Sequence, residues 1–130
     1  MATEVWIEGD VDAAFREYLE AVLGPGMVGR VQHAAVDGPL PQVVVMRLGG
    51  YATDISYQID VWAATRDEAW LYTTIIAGGI EVAAEAWFSL VPDARARIIG
   101  TRVESIRWMP DDLTDTPRYV VEATIAGIMA

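Results

Sequence analysis

The chain has 130 residues, 53% of them apolar, and a formal net charge of −10, which suits one domain and is too hydrophobic for a disordered chain. It has no cysteine and one histidine, His33, which excludes disulfides, thiolate zinc sites, cysteine nucleophiles and multi-histidine metal centres. All nine basic residues are arginine against nineteen acids, a balance that repels nucleic-acid phosphate and anionic lipid surfaces.

The opening Met1 to Glu8 has no basic n-region and is not expected to be a signal peptide, and no apolar run reaches the roughly 18 residues of a membrane span. A cytoplasmic site of synthesis and use is expected. Val11, Ala14, Phe15, Tyr18, Leu19, Val22 and Leu23 recur at helical spacing and predict an amphipathic helix. Asp10 is placed to cap it, Asp12 sits in its first turn, and Gly24-Pro25-Gly26 ends it. A weaker strand is expected over Val28 to Val36, followed by the turn Asp37-Gly38-Pro39. Gln42 to Leu48, with Val43-Val44-Val45-Met46 at its centre, reads as a buried strand, and Gly49-Gly50 as a tight hairpin turn.

Within Tyr51 to Thr65 the residues alternate cleanly. Ile55, Tyr57, Ile59, Val61 and Ala63 form one face; Asp54, Ser56, Gln58, Asp60 and Trp62 form the other, turned to water or a partner. Thr65-Arg66-Asp67-Glu68 is a capping box. It opens a second helix carrying Ala69, Thr73, Ile76, Ala77, Ile80, Ala83, Ala84 and Trp87 on one stripe and ending near Trp87 to Leu90. Gly78-Gly79 inside it costs about 1 kcal/mol per glycine relative to alanine, offset by close packing on the sheet or by a bend. Pro92 to Arg97 is a connector, Ile98 to Met109 a strand, Pro110 to Pro117 a polar turn, and Arg118 to Met129 a last strand. The order α-β-β-β-α-β-β with short links predicts an α+β fold. It is a single, mainly antiparallel sheet with both helices packed on one face, and the whole chain, 1–130, is one domain.

Reactive chemistry is scarce. His33 has no serine or acid in a recognisable motif beside it and reads as an ordinary strand histidine. Asp111, Asp112 and Asp115 can attract a hard cation but miss the EF-hand spacing, so they read as a solvated turn or as acidic pore lining. Gly24-Pro25-Gly26 and Gly49-Gly50 do not have phosphate-loop spacing. Glu81 and Glu85 share a helix face in the manner of a solvated surface. No catalytic residue, metal site or cofactor is expected. The five tryptophans, Trp6, Trp62 and Trp108 among them, divide between core packing and partner contact, since Trp, Tyr and Arg concentrate at interface hot spots. Arg95, Arg97, Arg102, Arg107 and Arg118 are scarce cations on an acidic chain. They fit a neighbour's carboxylates, or else form intrachain surface pairs worth little. Trp62, Trp108 and these five arginines are the candidate interface residues, and Asp111, Asp112 and Asp115 the candidate lumen-facing ones.

Three stretches together resemble the tail terminator family of long-tailed (siphovirus-like) bacteriophages: the helix Val11 to Leu23, the segment Gln58-Ile59-Asp60-Val61-Trp62-Ala63-Ala64-Thr65-Arg66-Asp67-Glu68-Ala69 running from strand into capped helix, and Pro117-Arg118-Tyr119-Val120-Val121 opening the last strand. The resemblance implies a non-enzymatic subunit. It would form a hexameric ring on the tail tube, stop tube growth and join tail to head while DNA passes through the lumen. Implied partners are five further copies, the major tail tube protein and head–tail connector proteins. The implied location is the virion, at the head–tail junction, after assembly in the host cytoplasm. Other readings are a different head–tail connector or neck protein, or a dimeric α+β barrel with a small-molecule pocket lined by Trp62, Tyr57 and Met46.

Overall fold

The computed structural model describes residues 8–24, 31–32, 39–51, 54–83, 87–88 and 96–129. The elements run α1 (Glu8–Leu23), β1 (Val31–Gln32), β2 (Gln42–Tyr51), β3 (Asp54–Trp62), α2 (Arg66–Val82), β4 (Trp87–Phe88), β5 (Ala96–Trp108) and β6 (Arg118–Met129). The strands make one six-stranded sheet in the order β1-β2-β3-β6-β5-β4. Every pairing is antiparallel except β1 with β2. The sheet is open, with the short β1 and β4 as its end strands among the described residues.

Alternation in β3 builds the core as its sequence dictates. Ile55, Tyr57, Ile59 and Val61 are buried, and register places them beside Val43 and Val45 of β2 and Val121, Ala123 and Ile125 of β6. Phe15 and Leu19 of α1 and Ile76 and Ile80 of α2 close over this face, with Tyr18, Leu23 and Tyr72 at the margin. Both helices therefore lie on one side of the sheet, where each apolar stripe meets the apolar strand face. The Phe15 and Tyr57 rings meet 4.7 Å apart, centroid to centroid.

The helix ends follow local chemistry. Gly24 adopts φ +94 and returns its N–H to the Glu20 carbonyl at 3.1 Å, ending α1 in the left-handed conformation glycine favours. Thr65 caps α2, its hydroxyl accepting from the Glu68 N–H at 3.1 Å. Gly79 is the close-approach point between the helices. A Cβ there would lie 2.7 Å from Val22 Cγ1, and the Tyr18 hydroxyl donates to the Gly79 carbonyl at 2.7 Å. The glycine pair thus serves packing on α1, not on the sheet, and only Gly79 takes part, because a Cβ on Gly78 would meet open space.

Several details differ from expectation. Asp10 lies inside α1 and does not precede it. Gly49 and Gly50 belong to β2, paired with Ser56 and Ile55 across a register shift after Arg47, and do not form the hairpin turn. Gly50 still uses its freedom, at φ +80, where any Cβ would collide with the Asp54 carbonyl. The second helix ends at Val82, and Trp87–Phe88 form a short strand paired with Ala96 and Arg97; aromatic residues suit a pleated surface as well as a helix stripe. The order gains that strand. Of the expected strand Val28 to Val36, Val31–Gln32 is seen, and the remainder lies outside the described residues, as do Trp6, His33, Glu85 and Arg95.

Candidate interaction surface

One end of the sheet carries two of the tryptophans singled out from sequence, one on each face. Register pairs Trp62 with Arg118 and Trp108 with Tyr119, and since residues 118 and 119 alternate, the two indoles point to opposite sides. Each is covered by an arginine. Arg118 lies over the Trp62 ring at 4.7 Å, and Arg66, the first residue of α2, lies over the Trp108 ring at 4.5 Å, both within cation–π range.

On the side away from the helices, Arg118 is tied down further. Its Nε donates to the Met109 carbonyl at 2.7 Å and its guanidinium reaches Asp60 at 3.4 Å. Asp60 also accepts from Gln58 at 2.9 Å. Asp60 and Gln42, which alternation assigns to the face turned from the core, are both buried there, which is affordable for Asp60 because a cation and an amide satisfy its oxygens. Along the same strands Arg107 pairs with Glu122 at 2.6 Å and Arg102 with Glu104 at 2.7 Å. The Arg102 guanidinium is the main reason Glu104 ionises below the usual carboxylate range. These three arginines are thus held by carboxylates of their own chain. Arg97 sits in β5, paired through its backbone with Trp87 and Ile128.

On the helix side, Arg66 has a different environment. Its Nε donates to the Tyr119 hydroxyl at 3.1 Å. Trp70, one turn further along α2 and 47% exposed, meets the Tyr119 ring at 5.2 Å, and Trp108 meets it at 5.0 Å. Sequence reasoning singled out Trp108 but not Arg66, Trp70 or Tyr119. The signal was present: Arg66 and Trp70 stand at i, i+4 at the start of a capped helix, and Tyr119 opens an alternating strand.

Between Trp108 and Tyr119 lies the β5–β6 loop. The Asp111 carboxylate accepts the Leu113 N–H at 2.8 Å, its carbonyl accepts from Asp115 N at 2.9 Å, and its own N–H donates to Thr116 O at 3.1 Å. The bond from Leu113 is the leading cause of an Asp111 pKa below the ordinary value. Asp111 is therefore occupied in shaping the turn, whereas Asp112 and Asp115 are exposed. Leu113 stands out at the tip, 94% exposed.

A cleft of about 330 Å³ lies elsewhere, lined by Asp12, Val45, Met46, Arg47 and Tyr57. Its polar groups bond one another: the Arg47 guanidinium and the Tyr57 hydroxyl converge on Asp12 Oδ1 at 2.8 and 2.5 Å. Trp62 is not part of it and faces the other side of the sheet from Tyr57, so the pocket expected from Trp62, Tyr57 and Met46 is not formed by an open sheet of this register.

The architecture has a known counterpart. The chain is similar to one in the virion of a native gene transfer agent (GTA) particle, with a TM-score of 0.62 and 18% identity over 92% of this chain and 95% of that one. At that identity the likeness establishes a shared fold across nearly the full length of both chains. No family model and no curated protein matches the sequence.

Proposed function

We propose that this protein is a structural subunit of a virion, acting as a tail terminator or closely related neck protein that closes into a ring at the head–tail junction. The observation that carries the reading is the end-to-end likeness of fold to a virion chain, reached independently of the sequence resemblance to tail terminators. The side chains agree with it. The described polar clusters are spent on internal bonds: Asp12 with Arg47 and Tyr57, Asp60 with Arg118, Asp111 with its own loop. What remains on offer among the described residues is surface: exposed Trp70, Leu71, Met109 and Leu113, and the sheet ends at β1 and β4.

In this reading the subunits associate head to tail, through two different patches that close a ring when the rotation permits. A hexamer on the major tail tube protein, below the connector, is the expected assembly, with Asp115 among the acidic groups available to line a lumen. Electron microscopy of the purified protein, alone and with tail tube protein, tests this. Rings alone or on tube ends support it. A strict monomer at high concentration that also leaves tube length and tube ends unchanged refutes it, and rings found at another level of the particle would replace the terminator with a different neck subunit.

A further inference from the structure

Six arginines have side chains among the described residues, and five of them meet a carboxylate: Arg16, Arg47, Arg102, Arg107 and Arg118. Arg66 does not. It is exposed, lies over the Trp108 ring and is anchored by its Nε bond to Tyr119, so its two terminal nitrogens have no carboxylate partner among the described residues. Guanidinium planes of this kind take carboxylates in paired hydrogen bonds. Half-exposed Trp70 adds an apolar wall beside it. Arginine with tryptophan and tyrosine is the composition of an interface hot spot.

The same chain presents a group that complements this patch. Leu113 is an apolar side chain held 94% exposed on a loop fixed by the Asp111, Asp115 and Thr116 bonds, with exposed Asp112 beside it. The tip does not fold back onto the patch next to it, and an ordered loop that holds out a leucine and a carboxylate together has the chemistry to fill an apolar wall topped by a guanidinium. On a protein of net charge −10, copies repel each other except where one of the few cations meets an acid.

We propose that the Arg66–Trp70–Trp108–Tyr119 patch receives the Asp112–Leu113 loop tip of a second copy of this chain, in a head-to-tail contact. Leu113 packs on Trp70, and Asp112 pairs with Arg66. The proposal rests on the self-associating reading above and names the contact that produces it.

Two variants separate the halves of the contact: Leu113→Asp spoils the tip and leaves the patch intact, and Arg66→Glu spoils the patch and leaves the tip intact. Both sites are exposed, and Trp70→Ala replaces Arg66→Glu if circular dichroism shows that variant unfolded. By analytical ultracentrifugation each variant alone is expected to associate about tenfold or more weaker than wild type, as loss of a hot-spot side chain does. Mixed, they keep one good tip and one good patch between them, so the mixture forms 1:1 dimers and nothing larger. Wild-type assembly with either variant assembling normally, or a mixture no more associated than its components, overturns the contact while leaving the ring intact. A wild type that never associates overturns both.

Discussion

At the scale of single residues, the Asp12–Arg47–Tyr57 triad fastens α1 to the sheet. Tyr57 is buried, and burial first, then the hydrogen bond its hydroxyl donates to the Asp12 carboxylate, pushes its pKa far above the ordinary tyrosine value. The unfolded chain releases this proton near pH 10, whereas the folded chain keeps it. The stability so gained is therefore fully present below about pH 10 and falls as pH rises beyond it. Tyr57→Phe is expected to cost about 1–2 kcal/mol at neutral pH, the loss of one hydrogen bond to a charged acceptor, and to flatten the alkaline fall in stability; urea titrations at neutral and alkaline pH measure both. An alkaline slope unchanged in the variant would mean that other groups carry it. Asp115, at φ +55, occupies a region that disfavours L-residues. Asp115→Gly is expected to raise stability by up to about 1 kcal/mol, read as a shift in the thermal midpoint.

Single residues also show where sequence reading stops. The burial of Asp60 was not legible, because alternation gives a face and not its cover; the partner that makes burial tolerable, Arg118, lies 58 positions away in the chain. The fate of Arg102, Arg107 and Arg118 is similar. Their charge and scarcity are visible in sequence, but Arg107 finds Glu122 through the β5–β6 register and Arg118 finds Asp60 through the β3–β6 register, whereas Arg102 pairs with Glu104 two residues along its own strand.

At the scale of elements, periodicity carried most of the fold: α1, β2, β3, β5 and β6 stand within a few residues of the segments their apolar patterns outline, and α2 begins where expected but ends early. The errors fall where two patterns overlap. Helical spacing runs on through Ala84 and Trp87, yet α2 stops at Val82 and Trp87–Phe88 pair as strand. The two glycines of α2 are a sharper case, since adjacent identical residues have opposite roles. Gly78→Ala adds a methyl in open space and is expected to stabilise by about 0.5–1 kcal/mol. Gly79→Ala drives its methyl to 2.7 Å from a Val22 methyl. Val22 is β-branched and stiff, so the helices must part, at a net cost of about 1–3 kcal/mol. Chemical denaturation of the two variants reads the difference. Equal effects would mean that α1 and α2 do not meet at Gly79.

At the scale of the whole molecule, the charge of −10 on 130 residues decides what the surface tolerates. Most described arginines are neutralised by their own chain, so the described surface offers duplex DNA almost no cation to displace counterions, and counterion release is what drives non-specific binding. An assembled ring multiplies the acid without adding free cations, because the contact proposed for Arg66 consumes the one guanidinium left unpaired among the described residues. A ring that carries DNA through its bore would thus repel the duplex near its wall, over a screening length of about 8 Å at physiological salt, and leave it free to slide. Fluorescence anisotropy with a labelled duplex at low salt is expected to show no binding by the monomer or the assembled form. The informative comparison is with Asp115→Asn, which leaves the Asp112–Arg66 contact intact. If Asp115 lines the bore, the assembled variant retains DNA longer than the assembled wild type, whereas the monomers remain alike. Measurable DNA affinity in the wild type, weakening as salt is added, would instead require a basic surface that the paired arginines do not provide, and the repelling conduit would have to be abandoned.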